Sequence, residues 1–199
     1  MSKKEIYISI DVEADGPIPG RNNMLSFGAA AFDLQHLPHP RLPIATFEAN
    51  LDLLDEATPS PDTMAWWATQ PEAWAACRKN TRPATEVMPE FVKWCRALPG
   101  VPVIVGYPVT YDFMFLYWYT MAFGGIEDGA HGPFGFQGLD IKTLAWAKLG
   151  GQYKSATKRN MPRAWFRGSP KHNHEALTDA IGQGVLFVNM RNQDEKSSG

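Results

Sequence analysis

Three β-strand patterns follow one another near the N-terminus, and they constrain the fold of this chain more than any other feature. They cover residues 6–10, 25–32 and 44–51 and are rich in β-branched and small apolar residues. Gly16 and Pro17 end the first pattern in a turn. Strands joined by short connections are typical of antiparallel pairing. The sequence therefore predicts an antiparallel meander.

Helical patterns alternate with strand patterns over the rest of the chain. Helices or strand-to-helix junctions are predicted at residues 61–68, 71–77, 84–98, 110–123, 139–149 and from 174 or 175 to 190. A short apolar run at residues 101–106 predicts a buried strand, and residues 150–173 predict a loop. Three strands followed by alternating helices and strands indicate an α/β or α+β sheet of mixed polarity.

Size and composition indicate a globular chain. It has 199 residues, of which 44% are apolar and 20% charged. We expect a single domain over residues 1–190 and a disordered tail over residues 191–199. The sequence contains neither a membrane-length apolar run nor an N-terminal apolar signal region. We therefore expect a soluble, cytoplasmic protein with no membrane partner, in which Cys77 and Cys95 are free thiols.

Charge is distributed unevenly, although the net charge is only −2. Residues 1–140 hold 9 basic and 17 acidic side chains, a net of −8. Residues 141–174, the basic segment, hold 8 basic and no acidic side chains, a net of +8. This pattern suits a protein that collects cations at one site and holds a polyanion beside it. A solvated, lysine-rich loop is the alternative interpretation.

Carboxylates stand at two places where a cation could bind. Asp11 and Glu13 lie two residues apart at the end of the first strand, so both face one side of the sheet. Oxygen ligands of this kind suit Mg²⁺, although a solvated strand end would look the same. Asp112 is the only charge between Arg96 and Glu127, within an aromatic helix pattern. A metal ion, a buried lysine or backbone amides could be its partner.

The last helix carries a third acidic position. Asp179 lies near its apolar face, and His174 precedes it by five residues. Because five residues turn a helix by about 500°, His174 fits better just before the helix, with its side chain turned inward. Two-metal phosphodiester hydrolysis uses several carboxylates to hold cations about 3.5–4 Å apart, and a nearby imidazole can accept the proton of the attacking water.

In their order and surroundings, these residues resemble the DEDD superfamily of 3′–5′ exonucleases. The Asp-x-Glu motif stands at Asp11–Glu13, and the second-motif aspartate, with an aromatic residue before it, at Asp112. The third motif, His-x-x-x-x-Asp, stands at His174 and Asp179. The tyrosine branch of the superfamily has Tyr where this chain has Glu175. The chain is therefore similar to the histidine (DEDDh) branch, which includes RNase T, oligoribonuclease and proofreading exonucleases.

This resemblance implies a fold and a catalytic set. The fold is α/β and ribonuclease H-like, with a mixed central sheet (an antiparallel meander, then parallel strands) flanked by helices. The implied catalytic residues are the general base His174 and the carboxylates Asp11, Glu13, Asp112 and Asp179. The four carboxylates would hold two Mg²⁺ or Mn²⁺ ions.

The resemblance also implies substrate contacts. Ser26 and Phe27 follow the first turn, where relatives often contact the terminal nucleotide, and Val12 lies inside the first motif. A buried-strand role is the alternative for Ser26 and Phe27. Apart from the resemblance, the net charge of +8 in the basic segment predicts that Arg163 and Arg167 hold the phosphate backbone.

Three other positions carry more open predictions. Asp140 matches a recurrent aspartate of the family that looks structural. Pro108 stands where many relatives have Asn, a departure that could change how the second motif is braced. Trp66 and Trp67 could stack on bases or belong to the core.

We therefore predict a metal-dependent 3′–5′ exonuclease that acts on single-stranded nucleic acid and releases 5′-mononucleotides. Similarity to small stand-alone members of the branch favours RNA over DNA. Relatives are often homodimers, and the aromatic residues of this chain would allow the same. A non-catalytic nucleic-acid-binding module on the same fold is the first alternative. A purely structural domain is the second, if the carboxylates pair with basic side chains.

Overall fold

The computed structural model describes residues 4–35, 40–127 and 130–197, in which five strands form one sheet of order β3-β2-β1-β4-β5. The strands are β1 (Glu5–Ala14), β2 (Met24–Phe32), β3 (Ala45–Asn50), β4 (Val101–Gly106) and β5 (Gly138–Asp140). Strands β1, β2 and β3 pair antiparallel, whereas β4 pairs parallel with β1 and β5 parallel with β4. The predicted mixed sheet, with a meander followed by parallel strands, is confirmed.

Helices flank this sheet. Their bounds are α1 (Pro61–Trp67), α2 (Pro71–Cys77), α3 (Ala84–Ala97), α4 (Val109–Phe123), α5 (Ile141–Leu149) and α6 (Ala176–Ser197). The predicted loop between α5 and α6 contains short 3₁₀ turns at Tyr153–Ser155, Lys158–Asn160 and Arg163–Phe166. We expected the last helix to end near residue 190 and a disordered tail to follow. Instead α6 continues to Ser197, and residues 198–199 lie outside the described residues.

The two faces of β1 meet different helical layers. Ile8, Ile10 and Val12 pack with α3 and α4 in the largest apolar cluster. Side chains alternate along a strand, so Asp11 and Glu13 point to the opposite face, which is covered by α6. The apolar face thus anchors β1, and the end of its other face carries the two carboxylates.

A glycine sets the distance between α6 and the sheet. Gly28 of β2 pairs with Asp11 across the ladder. A Cβ at Gly28 would lie 2.3 Å from the backbone nitrogen of Leu177, in the first turn of α6. Only glycine permits this approach, which brings the start of α6 against the strand that neighbours Asp11.

The cysteines are buried, and the described helices lack the features of membrane spans. Cys77 and Cys95 are buried free thiols, as predicted. Within the described residues, none of the helices combines the length and the apolar character that crossing a membrane requires.

Candidate active site

Three carboxylates from two elements converge at the end of β1. Oxygen atoms of Asp11, Glu13 and Asp179 all lie within 4.8 Å of one another, and we call this set the carboxylate cluster. Strand β1 supplies the first two, and the first turn of α6 supplies the third. Asp11 and Glu13 therefore lie on one face of β1, as predicted, and their carboxylates approach that of Asp179.

Asp112 lies in the first turn of α4 and points back toward β1. Its Oδ1 accepts a hydrogen bond of 3.2 Å from the backbone N–H of Val12, the residue between the two β1 carboxylates. The Asp112 side chain is buried. Of the partners that the sequence left open, a backbone amide is the one observed.

Burial and mutual repulsion disfavour ionisation of Asp11, Glu13 and Asp112. Burial and the charge of Asp179 together raise the pKa of Asp11 to about 7, although the Lys158 charge and the Gln183 hydrogen bond lower it. Burial and the charges of Asp11 and Asp179 raise the pKa of Glu13 to about 9. The pKa of Asp112 also lies well above its usual value, mainly because of burial. A cation bound next to these carboxylates would therefore stabilise their ionised forms.

The donor chemistry of the cluster fits a hard divalent cation. Its ligands are all carboxylate oxygens, the type that Mg²⁺ and Mn²⁺ take. Across the described residues, the one basic side chain that contacts the four carboxylates through an ion pair is His172, on Asp179. The purely structural alternative, in which basic side chains neutralise the carboxylates, therefore finds an ion pair at Asp179 alone within the described residues.

His174 lies just before α6, as predicted. Its backbone has φ +58°, in the left-handed region, and its N–H donates to Oδ2 of Asp179 at 3.1 Å. Its ring and that of Trp66 pack edge to face, with centroids 5.3 Å apart. Burial lowers the pKa of His174, and the neighbouring His172 lowers it further, whereas Asp179 raises it. A neutral imidazole beside the carboxylates is able to accept a proton.

Two residues at the site were not predicted. Gln183, one turn after Asp179 on α6, donates a 2.6 Å hydrogen bond to Oδ1 of Asp11. Nδ1 of His172 lies 2.6 Å from Oδ2 of Asp179. Helical i, i+4 spacing from Asp179 could have pointed to Gln183. No sequence signal pointed to His172, because its position depends on the backbone turn at His174.

The five predicted substrate-contacting residues are not all together. Ser26 pairs with Glu13 and lies on the same face of the sheet. The rings of Phe27 and Phe91 pack edge to face with centroids 5.2 Å apart in the α3 and α4 layer, and Val12 belongs to the same apolar cluster. The side chains of Phe27 and Val12 therefore lie on the face opposite Asp11 and Glu13, while Phe27 also lines the cleft beside α6 and the Val12 N–H donates to Asp112. Arg163 and Arg167 are exposed on the basic segment.

An open cleft of about 580 Å³ lies beside the start of α6. Ser26, Asn50, His174 and Thr178 are among the residues that line it. It is large enough for one nucleoside, and it lies next to the carboxylate cluster because Ser26 pairs with Glu13 and Thr178 precedes Asp179.

Three neighbouring residues have structural explanations. The carboxylate of Asp140 accepts from the backbone N–H groups of Val109 and Thr143, which ties the start of α4 to the start of α5. The peptide bond between Tyr107 and Pro108 is cis, directly before α4. Trp67 is buried and donates its indole N–H to the carbonyl oxygen of Ala14.

Comparisons with known proteins show which sequences and folds this chain is similar to. The chain is 27% identical to the 3′-5′ DNA exonuclease Cap18 of Escherichia coli over 92% of this chain and 90% of that protein. The fold is similar to the nuclease domain of 3′hExo, a DEDDh family member solved with bound rAMP, with TM-score 0.68, 10% identity and coverage of 96% and 93%. It is also similar to S. pombe Pop2p in its Mg²⁺ and Mn²⁺ bound form, with TM-score 0.66, 13% identity and coverage of 94% and 83%.

The chain is a 3′–5′ exonuclease, and its fold is that of DEDDh exonucleases. More narrowly, the family described as the 3′-5′ exoribonuclease Rv2179c-like domain matches residues 7–190, and the chain belongs to this family.

Proposed function

We propose that this enzyme removes nucleotides from the 3′ end of single-stranded RNA and releases 5′-mononucleotides by a two-metal mechanism, within one domain over residues 1–190. The observation that carries the proposal is the convergence of Asp11, Glu13 and Asp179 within 4.8 Å. Asp11 is half-buried and Glu13 is buried, both have raised pKa values, and within the described ranges neither forms an ion pair with Lys or Arg, so they are suited to hold divalent cations.

The residues of the chain divide the work of the reaction. The four carboxylates would hold two Mg²⁺ or Mn²⁺ ions, which when bound supply Lewis-acid chemistry to the attacking water and the departing 3′ oxygen. His174 accepts the proton of the water through a ring nitrogen, because its lowered pKa keeps the imidazole neutral near pH 7. Gln183 fixes the orientation of Asp11. The Val12 N–H fixes Asp112.

The basic segment places positively charged side chains where they can bind the substrate phosphates. Lys158 is close enough to the site that its charge lowers the pKa values of Asp11 and Asp112. Its ammonium lies 4.9 Å from the centre of the Tyr107 ring, and its backbone N–H donates to the Tyr107 hydroxyl. Because Tyr107 directly follows β4, these contacts hold this part of the segment near the end of the parallel strands.

The cleft beside α6 is the place we propose for the 3′-terminal nucleoside. Ser26 and Thr178 offer hydroxyl groups there, and the exposed Trp66 ring flanks His174. An aromatic surface of this kind can stack on a base for about 1–3 kcal/mol.

The choice of RNA over DNA is supported by the description of the family as exoribonucleases. The E. coli relative is described as a DNA exonuclease, so DNA is the alternative substrate. A non-catalytic binding module on the same fold would retain nucleic-acid binding but cleave neither polymer.

One assay separates these alternatives. RNA and DNA oligomers labelled at the 5′ end, single-stranded or with 3′ overhangs, are incubated with the protein in Mg²⁺, Mn²⁺ or EDTA. We expect a ladder of shortened single-stranded RNA in either metal and none in EDTA. Faster shortening of DNA would reverse the substrate preference, and cleavage that persists in EDTA would exclude the two-metal mechanism. Binding without cleavage in any condition would favour the non-catalytic module.

A further inference from the structure

A second group of metal-binding side chains lies at the outer edge of the site. One ligand atom from each of His172, His174 and Asp179 lies within 4.8 Å of the others, and we call this set the histidine–aspartate group. The centroids of the two imidazole rings are 4.3 Å apart. Nδ1 of His172 is 2.6 Å from Oδ2 of Asp179. Asp179 therefore belongs both to this group and to the carboxylate cluster.

The backbone holds this group together. The N–H groups of Asn173 and His174 donate to the two oxygens of Asp179, at 3.4 and 3.1 Å. The backbone turns in the left-handed region at His174 and passes around the Asp179 carboxylate. The side chains of His172 and His174 therefore both lie close to Asp179. Trp66 packs against the ring of His174. Little reorganisation is therefore needed to present all three ligands to one ion.

The donor atoms differ from those of the carboxylate cluster. Two imidazole nitrogens and one carboxylate oxygen suit a borderline cation such as Zn²⁺, whereas Mg²⁺ takes oxygen ligands. Tetrahedral Zn²⁺ with bonds of about 2.0–2.2 Å separates its ligand atoms by roughly 3.3 Å. The contact between His172 and Asp179 would have to open by less than about 1 Å. The His172 side chain is 57% exposed and can make this adjustment.

We propose that the histidine–aspartate group is an inhibitory Zn²⁺ site. Zinc bound there occupies a ring nitrogen of His174, which then cannot accept a proton, and it draws Asp179 away from the carboxylate cluster. The binding site stands on the geometry alone, whereas inhibition rests on the proposed exonuclease function. Mg²⁺-dependent cleavage would then stop when zinc is present and resume when zinc is removed.

The direct test measures zinc binding. The full chain, freed of metal by a chelator, is titrated with zinc chloride in a calorimeter, and the His172→Gln variant is compared with the native protein. Glutamine keeps a donor for Asp179 but lacks the imidazole nitrogen. We expect the variant to bind zinc more than about tenfold more weakly, the scale of loss typical even of outer-shell partners. His131→Gln, in which an exposed histidine beside Phe136 is replaced, is the matched control and should bind zinc as the native protein does.

A second measurement follows inhibition. Zinc is added to the Mg²⁺-dependent cleavage of labelled RNA, and each protein is compared with its own zinc-free rate. In His172→Gln we expect the zinc dissociation constant to rise. The zinc concentration for half inhibition should rise by about the same factor. Equal zinc affinity in the native protein and His172→Gln would overturn the site. Zinc binding through His172 without inhibition would overturn its inhibitory role. Zinc binding through His172 in a protein that never cleaves would support the site and refute the exonuclease proposal instead.

Discussion

The side-chain amide of Gln183 donates a 2.6 Å hydrogen bond to Oδ1 of Asp11 across the interface between α6 and β1. The two residues are 172 positions apart, so this contact forms only when the last helix packs on the first strand. It lowers the pKa of Asp11, against the effects of burial and of the Asp179 charge. Gln183 is therefore a positioning residue that also favours the ionised form of a proposed metal ligand.

Replacement of Gln183 by Met should weaken divalent-cation binding. Met preserves the approximate length of the side chain but donates no hydrogen bond, so the pKa of Asp11 should rise further. We expect Mn²⁺ affinity, measured by calorimetry, to fall by about tenfold, as is typical for partners of metal ligands. The pH at which Mn²⁺ binding reaches half its maximum should move upward, since metal ligands must be deprotonated. A merely structural role for Gln183 would lower the melting temperature and leave both quantities unchanged.

The stability of the metal-free protein should depend on pH because of Asp11 and Glu13. Their folded-state pKa values are raised to about 7 and about 9, so the folded chain holds protons that the unfolded chain releases near pH 4. The contribution to stability is therefore full below pH 4 and is lost as the pH rises through 7 and 9. The melting temperature in EDTA should fall from pH 5 to pH 9 more steeply in the native protein than in Glu13→Gln.

Divalent cations should reverse this loss. Ligands must be deprotonated to bind a metal, so Mn²⁺ should raise the melting temperature more at pH 8 than at pH 5. The Glu13→Gln variant should gain less than the native protein at pH 8. Parallel melting curves for the two proteins over this pH range, with and without Mn²⁺, would show that Glu13 is neither buried as an acid nor a metal ligand.

The convergence of Asp11 and Glu13 could be predicted because a strand has a period of two residues. The same rule separates Ser26 from Phe27, since adjacent strand residues face opposite sides, and only Ser26 shares the face of Glu13. Their joint assignment to substrate contact followed the resemblance to relatives instead of this rule. The ring of Phe27 packs in the layer of α3 and α4, whereas its residue still lines the cleft beside α6, so its contact with substrate stays a prediction.

Other features depend on tertiary contacts that leave no local pattern. The backbone amide of Val12 serves as the partner of Asp112, a contact between residues 100 positions apart. His172 reaches Asp179 only because His174 adopts a left-handed backbone, which sequence does not specify for a histidine. The helical extent of α6 beyond residue 190 also differs from the prediction, since the polar composition there favoured a tail.

The Asp112→Asn substitution should preserve the fold and abolish most activity. Asn can still accept the hydrogen bond from Val12, so the position of α4 should be kept. The loss of a charged oxygen ligand should reduce metal-dependent cleavage by more than about 100-fold, beyond the range seen for outer-shell changes. Asp140→Asn is the matched control, because Asn also caps helices and Asp140 holds α4 and α5 together. Near-native cleavage by Asp112→Asn would make Asp112 a structural residue.

The His174→Ala substitution should reduce turnover far more than metal or substrate binding. Proton transfer by a positioned side chain contributes about 10²–10⁴-fold. The pKa of His174 is lowered by burial and by His172, so the native rate should fall only as the pH drops below the usual titration range of histidine. The variant should lose this acidic limb, which a rate profile over pH measures. His131→Ala is the matched control and should keep the native rate. If His174→Ala is no slower than this control and retains the acidic limb, another group accepts the proton.

The exposed residues Arg163 and Arg167 should hold the phosphate backbone upstream of the bond that is cleaved. Each phosphate contact on a single strand adds about 0.7 to the slope of log K against log salt. The Arg163→Ala, Arg167→Ala double variant should therefore bind long oligomers more weakly and with a flatter slope, about equally for all sequences, since backbone contacts carry no base information. Dinucleotide cleavage should change much less, because so short a substrate hardly reaches these residues.

The matched control for this variant removes two exposed basic residues from α3, which packs on α4 in the layer opposite α6. Lys93→Ala, Arg96→Ala changes the net charge by the same amount and should keep the native salt slope. The measurement is fluorescence binding of a labelled oligomer over a salt series, with cleavage blocked by Ca²⁺. If both double variants flatten the slope equally, net charge alone explains the effect. If neither does, the strand follows another path, and the exposed Trp66 beside His174 is the next surface to test.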